Sequence, residues 1–168
     1  MDYTKFIRFR EDRKGDISLL LRDKQALAGA IKDLVKPFLS ERVDQVVGLE
    51  ARGFIFAATT ACLLKTGLVL VRKSGALYCE VLKEEVVDYT KTRKCLEIAK
   101  DAIRAAERVL VVDDWIETGS QIKASCKMVE TLGGNIVGVA ALINDASKEA
   151  QEFLAQYHYH YVINLLQK

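Results

Sequence analysis

The sequence predicts an α/β domain, a parallel sheet with helices on both faces, and three observations predict it. Short apolar runs of strand length alternate along the chain with amphipathic stretches of helix length. The runs are continuously apolar rather than alternating, as strands covered on both faces are. Hydrophobic residues make up 50% of the 168, enough for one substantial core and too few for two comfortable ones.

The elements follow in order. Residues 19–38, rich in Leu, Ala and Lys, carry Leu27, Ile31, Leu34 and Val35 at helical spacing, and Pro37 marks the end of that helix. Residues 43–49 read as a buried strand, 50–53 as a turn and 54–65 as a helix closed by Gly67. A short strand over 68–71 leads into 72–93, a charged, irregular and mobile excursion with a strand only around Val86 and Val87. Residues 108–112 form the next buried strand, and 120–132 a helix stopped by Gly133 and Gly134. A strand over 135–143, a helix over 147–156 and a strand over 159–165 complete the chain.

Composition narrows the function. Lys and Arg number 25 against 23 Asp and Glu, a net charge of +2, so no strong field draws the protein to nucleic acid or to an anionic membrane. The N-terminal stretch is too charged for a secretory signal, and no segment is apolar enough to span a bilayer. Cys62, Cys79, Cys95 and Cys126 form no Cys-x-x-Cys pair, which argues against zinc or redox chemistry and for the reducing cytoplasm. Cys62 and Cys126 are expected in the core, and Cys79 in a loop. His158 and His160 share one strand face without a third ligand, and are read as a surface pair.

Open sheets of this kind bind ligands at the carboxyl ends of their strands. There the segment VLVVDDWIETGSQI offers two carboxylates, Asp113 and Asp114, followed by Thr118, Gly119, Ser120 and Gln121 where a helix begins. N–H groups at a helix start lack internal partners and, with the helix dipole, favour a phosphate, while the two hydroxyls add donors. Carboxylates accept from hydroxyl donors and hold hydrated Mg²⁺, so a sugar suits them. Phosphate and hydroxyl sites at this spacing describe a ribose 5-phosphate. Neither Gly-x-x-x-x-Gly-Lys-Ser/Thr nor Gly-x-Gly-x-x-Gly occurs, which disfavours nucleoside triphosphate hydrolysis and dinucleotide binding. Upstream, VVGLEARGFIF places Arg52 and Gly53 after a strand, and Arg72 and Lys73 end the next one, so both loops suit a diphosphate.

These segments resemble the type I phosphoribosyltransferases, and most closely the adenine phosphoribosyltransferase family, from Asp16 onward. The acidic pair with its Thr-Gly loop resembles the signature for phosphoribosyl diphosphate, and Glu-Ala-Arg-Gly-Phe the family's diphosphate loop. LEIAKDAI, LGGNIVGVAALI and NLLQ extend the match. The resemblance implies a parallel-sheet core over 41–168 with a small N-terminal hood over 1–40, transfer of a 5-phosphoribosyl group to a purine base with adenine first, Mg²⁺, and a homodimer. It implies that Asp113 and Asp114 hold the ribose hydroxyls and that residues from Glu117 to Gln121 wrap the 5-phosphate. Glu50, Ala51, Arg52, Gly53, Arg72 and Lys73 would then hold diphosphate. Gly15, Asp16 and Ile17 would face the base. Trp115 is read separately, from its place after the carboxylates in a ligand-facing loop, as lining the base pocket, with packing in the core as the alternative.

The chain departs from that family at three places. Where adenine-specific members carry Phe-Arg-Asp-Ile, with a ring that stacks on the base, Lys14, Gly15, Asp16 and Ile17 stand here, without an aromatic ring. Leu77, Tyr78 and Cys79 replace Leu-Pro-Gly, and Asp88 and Tyr89 match Glu-Tyr-Gly only after a shift of about two residues, which leaves them candidate catalytic residues. Glu117 occupies the position of a small Ala. Hypoxanthine-guanine enzymes have an Asp there facing a purine nitrogen, so Glu117 is a candidate general acid/base. Two other functions stay open: transfer to a different base, and a regulator that binds phosphoribosyl diphosphate or a nucleotide without catalysis.

Overall fold

A computed structural model of the chain describes residues 1–9, 15–87 and 92–166. It opens with a 3-10 turn, Tyr3–Phe6, and a small antiparallel pair, β1 (Arg8–Phe9) and β2 (Gly15–Asp16). The single helix expected over 19–38 is two, α1 (Ser18–Arg22) and α2 (Lys24–Val35). Asp23 divides them because its carboxylate accepts from the N–H groups of Gln25 and Ala26, capping α2.

The remaining elements are β3 (Gln45–Leu49), α3 (Gly53–Leu64), β4 (Gly67–Lys73), β5 (Val81–Val87), β6 (Arg93–Ala99), β7 (Arg108–Ile116), α4 (Ser120–Thr131), β8 (Asn135–Asn144), α5 (Lys148–Leu154) and β9 (Tyr159–Asn164). They build one seven-stranded sheet in the order β5-β6-β4-β3-β7-β8-β9. Five strands, β4, β3, β7, β8 and β9, run parallel, while β6 and β5 join antiparallel at one edge. The mobile excursion expected over 72–93 is therefore corrected where residues are described: β4 runs on to Lys73, and β5 pairs with β6 over its whole length.

Helices cover both faces, so each strand buries consecutive residues. On one face Leu20, Ala26, Leu34, Phe56 and Ala57 of α1, α2 and α3 meet Val46, Leu110, Val112 and Ala140. On the other, Ile122, Met128 and Leu154 of α4 and α5 meet Val47, Val109, Val111 and Val139. Each fully buried side chain of this size contributes about 1.5–3 kcal/mol by leaving water. This two-sided burial fixes β3 and β7 at the middle of the sheet, with the ends of both strands side by side. Cys126 lies in this core, its thiol pushed up to about 12 by burial. Cys62, expected there too, is exposed on α3.

Candidate functional site

The site residues lie where β3, β4 and β7 end. Asp113 and Asp114, expected in a loop after the strand, are part of β7 itself and are 8% and 7% exposed. Asp113 Oδ1 accepts from the Asp114 N–H at 2.8 Å. The same oxygen faces the start of α3: a Cβ on Gly53 would lie 2.6 Å from it, so only glycine lets the helix come this close. Across the pair, Arg52 Nη2 stands 2.7 Å from Asp114 Oδ2, and Arg52 Nη1 donates to the Gly15 carbonyl at 2.9 Å. Arg52 thus joins the N-terminal segment to the strand ends. Among the described residues this ion pair is the contact Asp114 Oδ2 has, and an anion that took the guanidinium would leave the buried acceptor to a ligand hydroxyl.

Burial, and then the neighbouring charge of Asp114, push the Asp113 carboxyl well above the usual carboxylate range. Burial raises Asp114 as well, opposed by the Arg52 guanidinium. Two carboxylates this close do not ionise independently, so the pair titrates as a unit.

Beyond β7 the chain turns through Glu117, Thr118 and Gly119 into α4. Gly119 has φ +70, and a Cβ there would lie 2.7 Å from Ala150 Cβ on α5. The turn is held from the other side by the Ser147 N–H, which donates to the Glu117 carbonyl at 2.8 Å. Neither α3 nor α4 receives a side-chain cap from its N-cap residue, and neither has an acidic residue in its first turn. Thr118 Oγ1 lies 3.0 Å from Ser120 Oγ and accepts a long 3.4 Å bond from the Ser120 N–H. With Gly119 supplying no cap and the Ser120 N–H held only by this long bond, the first turn of α4 can turn its N–H groups to an anion.

At the end of β4, Arg72 Nε and the Lys73 N–H both donate to Glu50 Oε2 at 3.1 Å. Those donors, with the Arg72 charge, outweigh partial burial and hold the Glu50 carboxyl below its usual range. Glu50, predicted to hold diphosphate, has a carboxylate turned to cations, where it orients Arg72. The Glu50–Ala51 peptide is cis. Sequence reasoning missed Glu97 of β6, a buried carboxylate whose Oε1 accepts from Ala76 and Leu77 N–H at 2.8 Å each. With Glu50 it pins both sides of the segment over 72–77. Its only signal was an acid inside the apolar run LEIA.

The base-side expectations separate. Ile17 is buried, 1% exposed, so its side chain packs in the core, and Oδ1 of the half-buried Asp16 accepts from the Ser18 N–H and hydroxyl. Gly15 and Trp115 do come together: a Cβ on Gly15 would overlap Trp115 Cζ3 and Cη2. Glu117 is exposed at the head of its loop. Asp88 and Tyr89 lie outside the described residues. Far from the site, the surface pair His158 and His160 flanks Phe38, and His160 Nε2 is 3.0 Å from the Asp33 carbonyl.

A mostly parallel sheet with paired carboxylates and two helix starts converging at its carboxyl edge is the frame of a sugar-phosphate enzyme. The chain belongs to the phosphoribosyl transferase family, whose domain matches residues 20–162. The individual proteins it resembles are adenine phosphoribosyltransferases. That of Methylococcus capsulatus is 41% identical over 140 residues, which cover 83% of this chain and 81% of that one. The crystal structure of the Rhodothermus marinus protein superimposes with a TM-score of 0.89 at 34% identity, covering 97% of this chain and 96% of the other. The Giardia lamblia protein, crystallised with 9-deazaadenine, gives 0.89 at 25% identity over the same shares.

Proposed function

We propose that this protein transfers the 5-phosphoribosyl group of phosphoribosyl diphosphate to adenine, in purine salvage. The bond from C1 of the ribose to the diphosphate oxygen breaks, a bond from a ring nitrogen of the base to C1 forms, and the base loses a proton. The observation that carries this reading is Asp114 Oδ2, a buried acceptor held among the described residues by the Arg52 ion pair, beside two helix starts that lack side-chain caps. Relatives named for this reaction, one of them crystallised with an adenine analogue, support it.

In this reading Asp113 and Asp114 accept from the ribose hydroxyls. The loop from Glu117 through Thr118, Gly119, Ser120 and Gln121 wraps the 5-phosphate. Ala51, Arg52, Gly53 and Lys73 meet the diphosphate, with Arg72 held in place by Glu50. Arg52 leaves Asp114 as the diphosphate arrives, exchanging one anion for another while Asp114 gains a hydroxyl. Glu117 takes up the proton released by the base, and Asp88 and Tyr89 are further candidates for that step.

Mg²⁺ enters with the substrate. Among the described residues no cluster of three acids, histidines or cysteines could hold a metal alone. The hard oxygens of Asp113 and Asp114 suit a Mg²⁺ ion that keeps its waters and the substrate's phosphates as ligands. Bound there, it would neutralise charge on the departing diphosphate.

Residues 1–40 serve as a hood on a core over 41–168. The protein pairs with itself through α3, whose Ile55 and Leu63, together with Leu68 of β4, are exposed at 38%, 52% and 37%. A helix apolar on every side is ordinarily covered on every side. The described helices include none long and apolar enough to cross a membrane, and four free thiols suit the cytoplasm. Incubation with phosphoribosyl diphosphate, Mg²⁺ and each of adenine, hypoxanthine, guanine, xanthine, uracil and orotate tests the activity. Adenine should give nucleotide and diphosphate fastest; binding without product from any base would refute catalysis.

A further inference from the structure

Trp115 follows Asp114 directly on β7, and its indole rests on Gly15 of β2 so closely that any side chain at residue 15 would displace it. Gly15 is also the residue whose carbonyl takes the Arg52 guanidinium, 2.7 Å from Asp114. Indole, Gly15, Arg52 and Asp114 are therefore contiguous, on the seam between the N-terminal segment and the sheet. Strand β1 brings a second ring to the same seam, because Phe9 pairs with Gly15. The Phe9 and Trp115 centroids are 6.3 Å apart with an interplanar angle of 74°. Phe9 leaves 45% of its surface exposed, and Trp115 is only partly buried.

Two aromatic rings near a right angle form a corner. A flat heteroaromatic ring stacked on one face presents its edge to the other ring, and both arrangements are favourable. The indole and Asp114 are linked through Gly15 and Arg52, so a base attached to a ribose held at Asp114 is directed along the seam where the indole lies. Phe9 sits on a two-residue strand with 45% of its surface exposed, so part of it is open to a ligand.

We propose that Phe9 and Trp115 together form the aromatic corner that receives the purine, with Gly15 kept small to let the indole in. This rests on the proposed phosphoribosyl transfer and adds Phe9 as a specificity-determining residue. The corner takes the place of the ring that residues 14–17 lack.

Trp115 is the chain's one tryptophan, so its fluorescence reports on the corner alone. Titration with AMP should quench the emission to saturation, while ribose 5-phosphate should leave it nearly unchanged. Phe9→Ala should raise the KM for adenine by about tenfold, the order of one base–aromatic contact, with the KM for phosphoribosyl diphosphate unaltered. Phe9→Tyr should restore it, and Gly15→Ala should shift the emission and weaken adenine in a chain that still folds. A purely structural Phe9 would lower the unfolding midpoint without separating the two KM values. An active enzyme with no quench by AMP and an unchanged adenine KM in Phe9→Ala overturns the corner. Quenching by AMP in a protein that makes no nucleotide would keep the corner and overturn the transfer reaction.

Discussion

Replacing Gly119 by Ala tests whether the phosphate loop is as tightly built as its geometry demands. The backbone there has φ +70, in the left-handed region, which costs an Ala about 1–2 kcal/mol. The new Cβ would also stand 2.7 Å from Ala150 Cβ and 3.4 Å from Ala150 Cα, so loop or helix must move, at about 1–3 kcal/mol. A total of about 3 kcal/mol, with a urea slope of about 2 kcal/mol/M, lowers the unfolding midpoint by about 1.5 M. Because the loop shifts, the N–H groups of residues 120 and 121 lose alignment, and ribose 5-phosphate should bind at least about tenfold more weakly by calorimetry. Adding Ala150→Gly removes the overlap while leaving the backbone strained. A double-mutant cycle should then return a coupling of about 1–2 kcal/mol, beyond the cost of about 1 kcal/mol for glycine within α5. A midpoint shift below about 0.3 M with unchanged ribose 5-phosphate affinity would refute the argument.

Three further outcomes follow from the same geometry. Asp114→Asn keeps the shape of β7 but weakens the acceptor for a ribose hydroxyl, so the KM for phosphoribosyl diphosphate should rise about 10–100-fold in steady-state kinetics; an unchanged KM removes Asp114 from binding. The Glu97 carboxyl is held below its ordinary 4.5 by N–H groups of Gly75, Leu77 and Ala76, so the folded protein binds that proton less readily than the unfolded chain. Its stabilisation is complete above that ordinary value and is lost as pH falls through the depressed one, so the gap in urea midpoint between wild type and Glu97→Gln should narrow from about pH 6 to about pH 4. An equal gap at both would show that Glu97 does not titrate as described. Leu63→Glu puts a charge on the exposed face of α3 and should halve the mass seen by sedimentation without loss of helix signal, whereas a wild type that already sediments as a monomer rules out the α3 pairing.

The parts of the fold that were legible in the sequence are those whose burial is two-sided or whose phosphate chemistry is local. Residues 46–49 and 109–112 are apolar without a break because helices lie on both faces. The loop from Glu117 to Gln121 was legible because strand, turn and helix start are adjacent in the chain. The β5–β6 hairpin was hidden by its own chemistry: an edge pair facing water on much of its surface reads RKCLEIA and VLKEEVV, charge-rich runs with no clean period. Cys62 was placed wrongly because α3 is apolar all round, so periodicity gave no way to tell its buried side from its exposed one. Phe9 had no local signal at all. Its neighbourhood exists only because β1 pairs with β2 and Gly15 leaves a gap that an indole far along the chain fills. A pattern read along the chain finds residues that act with their neighbours. A corner made by two residues from opposite ends of the fold becomes visible when the sheet has brought them together, and it is there that this chain departs from the Phe-Arg-Asp-Ile pattern it otherwise resembles.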